Sequence, residues 1–153
     1  MPQLALSAGD LGPDFELQST AGQSVHLYRT LEDSSVVLFF YVRAFTPVCM
    51  AEVCSFRDNA ADFAGLNAAI YGISSDTDSV AQRFASFHKL PFPLLVDEGS
   101  RVRNLYRVPK MFGFLPGRST YVIGQNKRIL QVTNGGLESS PHIRESLKAL
   151  KTL

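Results

Sequence analysis

The run Val36-Val37-Leu38-Phe39-Phe40-Tyr41 is apolar without interruption, rich in β-branched and aromatic residues, and too short to be a core helix. It predicts a buried strand, and a buried strand obliges the rest of the chain to cover it with further layers. The sequence around it supplies them. Upstream, Phe15, Leu17, Val25 and Leu27 alternate with polar residues about Ala21-Gly22-Gln23, which predicts a short hairpin at a sheet margin. Downstream, Pro47 suits a first helical turn, and Val53, Phe56, Ala60 and Phe63 recur at helical spacing, which predicts one helix from position 46 or 47 to about 64.

A second strand and helix follow. Residues 69–74 are strand-like and end at Ser75-Asp76-Thr77-Asp78, a cluster of capping residues, before a helix expected to carry Val80, Phe84 and Phe87 on one face. Pro91-Phe92-Pro93 closes that unit, Leu94-Leu95-Val96 reads as a short buried strand, and residues 100–106 as a short helix. Two further strands, at 121–123 and 129–132, flank the turn Gly124-Gln125-Asn126-Lys127. Pro141 opens a last helix bearing Ile143, Leu147 and Leu150. With no repeat, low-complexity tract or linker, the reading is a single domain over 1–153, a layered α/β sandwich around a mixed sheet.

Fifteen basic against fourteen acidic side chains leave a net charge of +1, which gives no field to attract nucleic acid or an anionic membrane. No stretch approaches the ~18 apolar residues of a membrane span. The first ten residues carry no Lys or Arg and are broken at Ser7, Gly9 and Asp10, which argues against a signal peptide. The expected location is therefore the cytoplasm, where thiols stay reduced and a close cysteine pair points to redox or metal chemistry.

That pair is Cys49 and Cys54, which fall in the N-terminal half of the helix after the buried strand. Five residues apart on a regular helix, their Cα atoms lie about 8 to 9 Å from one another and about 140° around the axis. A disulfide needs them within ~7 Å. The two can bond only if the first turns unwind, which requires two states linked by thiol oxidation. Cys49, in the first turn, faces unpaired N–H groups and the positive end of the helix dipole, which stabilise a thiolate. Thr46, three residues upstream, can place a hydroxyl beside that sulfur or cap the helix. Cys54, deeper in the helix, lacks this help and reads as a resolving thiol.

The chain resembles a peroxiredoxin of the peroxiredoxin Q or bacterioferritin-comigratory-protein type over nearly its whole length. Gly12-Pro13-Asp14-Phe15-Glu16-Leu17, Gly22-Gln23-Ser24-Val25-His26-Leu27 and Leu90-Pro91-Phe92-Pro93-Leu94-Leu95-Val96-Asp97 resemble the opening of that family, its first hairpin and the approach to its fourth core strand. Thr46 and Cys49 fit the family pattern Pro-x-x-x-Thr-x-x-Cys, and Arg118 in Gly117-Arg118-Ser119-Thr120 matches its remote arginine. The resemblance implies a thioredoxin-like fold, with a central mixed sheet flanked by helices and an N-terminal hairpin extension.

It further implies a cofactor-free peroxidase acting on hydrogen peroxide and organic hydroperoxides. Cys49 would attack the O–O bond, become a sulfenic acid and condense with Cys54. Arg118 would hold the thiolate and peroxide by charge-assisted hydrogen bonds. Thr46 would orient the peroxide oxygens, the N–H groups of Val48 and Cys49 would assist, and Glu52 would orient the arginine. Thioredoxin or a similar dithiol would reduce the disulfide, and the family favours a monomer or a weak dimer.

Val42 stands where the family has proline, which covers the sulfur without offering a backbone donor; a working peroxidase with altered rate or altered resistance to over-oxidation is expected. A thioredoxin-like disulfide oxidoreductase normally needs Cys-x-x-Cys, and a redox-responsive binding module needs a slowly oxidised Cys49. A metal site fits poorly, because four residues between cysteines is an unusual zinc spacing and His26, His88 and His142 are far apart; each histidine reads as a surface or hydrogen-bonded side chain. Phe112, Phe114 and Leu115 could wall the peroxide pocket, pack on the first helix or form a dimer contact.

Overall fold

The computed structural model describes residues 5–110, 117–135 and 138–153. Seven strands form one sheet in the order β2-β1-β5-β4-β3-β6-β7: β1 (Glu16–Ser19), β2 (Ser24–His26), β3 (Ser35–Phe40), β4 (Ala68–Ser74), β5 (Leu94–Val96), β6 (Ser119–Ile123) and β7 (Ile129–Asn134). The central strands β3, β4 and β5 run parallel, while β6, β7 and the β1–β2 hairpin pair antiparallel, so the sheet is mixed as expected. The helices are α1 (Leu27–Thr30), α2 (Pro47–Asp58), α3 (Ala60–Gly65), α4 (Asp78–Phe87), α5 (Arg101–Leu105) and α6 (Ser140–Leu150).

Every residue of β3 is buried, and its alternating side chains feed two cores. Val37, Phe39 and Tyr41 join Val53 and Phe56 of α2, Phe84 of α4 and Ile143 of α6 on one face. Val36, Leu38 and Phe40 join Leu27, Val102, Tyr106 and Tyr121 on the other. The Phe39 and Phe56 rings stack at 4.4 Å between centroids, fixing α2 against the sheet. Gly72 on β4 makes room for this packing: a Cβ there would sit 2.8 Å from Leu94 Cδ2, and as close to the Phe39 ring.

Two expected details differ. The single helix over 46–64 is two, because Asn59 leaves helical geometry (φ −108°, ψ 10°), and its side-chain amide donates to Ser55 O at 2.8 Å beside its own N–H at 3.2 Å, capping the first piece. Both cysteines remain on the uninterrupted first piece. In α4, Thr77 caps the helix by accepting from Val80 N and Phe84 is buried, but Phe87, the last helical residue, is 71% exposed, with its ring beside those of Phe45 and His88.

Candidate active site

The end of β3 leads through residues 42–46 into α2, and this turn is held from outside. Asp76, in the β4–α4 loop, accepts from Ala44 N at 2.8 Å and from Ser74 Oγ at 2.9 Å. Phe45 adopts a left-handed φ of 64°, uncommon for a bulky residue, with its ring against Phe84 and Phe87. Pro47 then occupies the first helical position, where its missing N–H costs nothing. Helical hydrogen bonding starts at Met50, which donates to Thr46 O at 2.8 Å. The N–H groups of Val48 and Cys49 therefore precede the first intrahelical bond and remain aimed out of the helix end.

Cys49, third in the helix, is 2% exposed and sits in the core cluster with Tyr41, Ala44 and Val53. Its charge acts on Tyr41 and Arg103, which places both within electrostatic reach of the sulfur. Burial holds the Tyr41 phenol far above its ordinary ionisation range, so it remains neutral. Val42 is partly buried and packs against the same cluster.

Three residues beyond Cys49, on the same side of the helix, Glu52 is fully buried and ion-paired with Arg118 Nη1. Glu52 Oε1 is buried without a hydrogen-bond partner among the described residues. Desolvation outweighs the opposing pull of Arg118 and pushes the Glu52 carboxyl up to about 7. Arg118 is only 4% exposed and precedes β6. The preceding Gly117 lies so close to Pro109 O that no side chain could fit there. Arg103 of α5 ties the neighbourhood together, donating to Tyr41 O at 2.8 Å and to Gly117 O, so it joins the end of β3 to the start of the Arg118 strand. Asp97 positions α5 by accepting from Val102 N and Arg103 N, each at 2.9 Å.

Cys54 lies two turns into α2 in a different setting. It is partly exposed, and its Sγ is 3.4 Å from His88 Nδ1 at the end of α4. Both cysteines are free thiols on one continuous helix, so they keep the roughly 8 to 9 Å Cα separation of that geometry.

The sequence profile of the AhpC/TSA family matches residues 8–132. The chain belongs to this family. Its relatives refine the placement to the peroxiredoxin Q group: chloroplastic peroxiredoxin Q of Sedum lineare is 39% identical over 149 residues, covering 97% of this chain and 80% of the relative. The Arabidopsis thaliana protein of the same name is 40% identical over 147 residues, covering 95% and 68%. Among solved structures, peroxidoxin BcpB from Mycobacterium tuberculosis superposes with a TM-score of 0.88 at 34% identity, covering 97% of this chain and 98% of that one. This peroxiredoxin is a thiol-dependent peroxidase with a hydroperoxide substrate and a thioredoxin-type reductant, built on the thioredoxin-like fold.

Of the residues singled out from sequence, Cys49 and Glu52 share one face of α2, and Glu52 binds Arg118 across 66 positions of chain. Thr46 stands at the N-cap position with extended backbone, but its hydroxyl does not cap the helix; it donates to Arg43 O at 2.8 Å, within the turn itself. His26 pairs with Asp14 at 2.7 Å, and His142 is buried between Thr120 Oγ1 and Gly135 O, so both are hydrogen-bonded side chains as expected. Phe112, Phe114 and Leu115 lie outside the described residues. Sequence reasoning did not single out Arg103 or treat Asp76 as more than a capping residue. Asp76 stood in a recognised capping cluster, whereas Arg103 had no signal beyond a charge on a short helix.

Proposed function

We propose that Cys49 is the peroxidatic cysteine and Cys54 its intramolecular resolving partner. The observation that carries this assignment is the contrast within α2: Cys49 is buried at the N–H-rich helix end, beside a glutamate that holds a buried arginine, and Cys54 has neither. In the first step the Cys49 thiolate attacks one peroxide oxygen, the O–O bond breaks, and the other oxygen leaves as an alkoxide or hydroxide that takes up a proton. Arg118, kept in orientation by Glu52, and the N–H groups of Val48 and Cys49 supply positive charge where the leaving oxygen becomes negative. Thr46 orients the peroxide once its hydroxyl turns from Arg43 O. In the second step the first two turns of α2 unwind, Cys54 reaches the Cys49 sulfenic acid, and a disulfide forms with release of water.

Thioredoxin reduces that disulfide, the protein acts as a monomer, and a compartment with reduced thiols, the cytoplasm, suits the cycle. A coupled assay tests the assignment. With thioredoxin, its reductase and NADPH, the Cys49→Ser variant should reduce no peroxide above background, while Cys54→Ser should consume one equivalent and stop. Full turnover by Cys49→Ser would overturn it.

A further inference from the structure

We propose that His88 is a catalytic residue of the resolving step, its Nδ1 taking the proton of the Cys54 thiol as Cys54 attacks oxidised Cys49; this rests on Cys54 being the resolving thiol.

The geometry gives the imidazole little else to do. His88 Nδ1 lies 3.4 Å from Cys54 Sγ, and His88 Nε2 is buried with no hydrogen-bond partner. The sulfur is thus the ring's one polar contact among the described residues. The ring's position is fixed from several sides. His88 N donates to Phe84 O at 3.2 Å, Arg57 Nη1 donates to His88 O at 3.0 Å, and the rings of Phe84 and Phe87 each lie 4.9 Å from the imidazole, with Phe45 at 6.5 Å. A histidine placed only to fill space would not need its nitrogen on a thiol.

Cys54 has reason to need a base. It is the eighth residue of α2, beyond the reach of the helix-end N–H groups that serve Cys49. Thiols without such help are mostly protonated at neutral pH, and only the thiolate attacks sulfur well. Burial, aided by the charge of Arg57, holds His88 below its ordinary range, so it is neutral at pH 7 and its Nδ1 can accept a proton. The charged and titratable groups around it are Cys54 and Arg57 of α2, the latter shared with Asp58 at 3.0 Å; the α4 side and the Phe45 turn present rings.

The step balances. The S–H proton of Cys54 passes to Nδ1 and the freed electron pair attacks the Cys49 sulfur. The S–O bond of the sulfenic acid breaks, and the departing hydroxide takes the proton back from the imidazolium as water. Cys49 is reduced from the sulfenic level, Cys54 is oxidised, and the two meet as a disulfide, with His88 returned neutral.

The test is a single-turnover rapid quench of the full chain with one equivalent of hydrogen peroxide, resolving sulfenic acid formation from disulfide formation by alkylation and mass. His88→Gln should slow disulfide formation about a hundredfold at pH 7, at the low end of what a positioned base contributes, with the loss confined to that second phase. Its rate should then climb with pH toward 8, where the wild-type rate is flatter. The same variant should over-oxidise Cys49 to the sulfinic acid at lower peroxide, because the sulfenic acid waits longer. A His88→Gln protein whose second phase matches wild type in rate and pH profile would overturn the proposal. So would one slowed in both phases with an unchanged profile, which is the mark of a structural role. If wild type itself forms no Cys49–Cys54 link, the underlying assignment of Cys54 fails and the proposal with it.

Discussion

The two cysteines share a helix, and the contrast between their settings is the ground for the proposed order in which they act. Cys49 is sealed in the core at the helix end, in one cluster with Tyr41 just after β3 and with Ala44, whose turn is pinned by Asp76, and Glu52 on the same side of α2 pairs with Arg118 before β6. Cys54, five residues on, is partly exposed and contacts His88, whose ring in turn packs against Phe84 and Phe87. Rigidity serves the first, because hydrogen-bond donors that stand ready for the transition state need no reorganisation. Looseness serves the second, because the helical turns that separate it from Cys49 must open for a disulfide to form. One helix must therefore be firmly built at its start and still able to melt there, which local stability differences within a fold permit.

The largest effect should come from removing the difference at its reactive end. Cys49→Ser should lower peroxide turnover by more than about 10³-fold, since a serine hydroxyl neither ionises at neutral pH nor attacks the O–O bond well, whereas Cys54→Ser should leave single-turnover peroxide consumption within a few fold. Stopped mixing with peroxide measures both.

Next comes the buried ion pair. Arg118→Met strands Glu52, and breaking a buried pair from one side typically costs about 3 to 5 kcal/mol, with peroxide reactivity falling about 10²-fold or more. The double variant Glu52→Gln with Arg118→Met should regain much of the stability, measured by urea unfolding, and none of the activity. Recovery of activity would show that the arginine is structural.

Glu52 also has a pH signature with a definite sign. Its carboxyl titrates near 7 when folded against an ordinary 4.5, so between those values the folded state keeps a proton that the unfolded state has released. Stability should fall as pH rises through that window, by up to about 3 kcal/mol, opposite to a carboxylate whose ion pair holds its pKa down. Comparing unfolding at pH 5 and pH 7.5 in wild type and Glu52→Gln isolates it, since the variant lacks that decline.

Val42→Pro should have the smallest effect. Val42 already packs on the Cys49 cluster, so restoring the family proline should change the rate constant for peroxide by less than about threefold, a barrier difference under about 0.7 kcal/mol. A larger gain would show that the backbone N–H at this position weakens the site.

Much of this was legible in the residues because it is local. The unbroken apolar run marked β3 as a buried strand, Pro47 marked the start of α2, and the five-residue cysteine spacing on that helix gave the separation that forbids a disulfide without unwinding. The break at Asn59 was missed because helical periodicity of apolar residues continues through it, while the capping bond from the Asn59 side chain leaves no trace in that pattern. Partners distant in sequence were the harder part. Arg118 was found only through family resemblance, and Arg103 and His88 meet the site across 62 and 34 positions, a closeness that the sheet order creates. Spacing put Phe87 on one face with Val80 and Phe84, but the helix ends there and leaves it exposed.

The most direct test of the central claim, that α2 holds Cys49 and Cys54 apart until oxidation and then unwinds to join them, is hydrogen exchange of α2 peptides before and after one equivalent of peroxide, with the linkage mapped by mass on the same samples. Residues 50–54 should be protected in the reduced protein and lose that protection as a Cys49–Cys54 disulfide appears. A disulfide that forms with the protection of 50–54 unchanged, or oxidation that leaves Cys54 an alkylatable thiol, would contradict it.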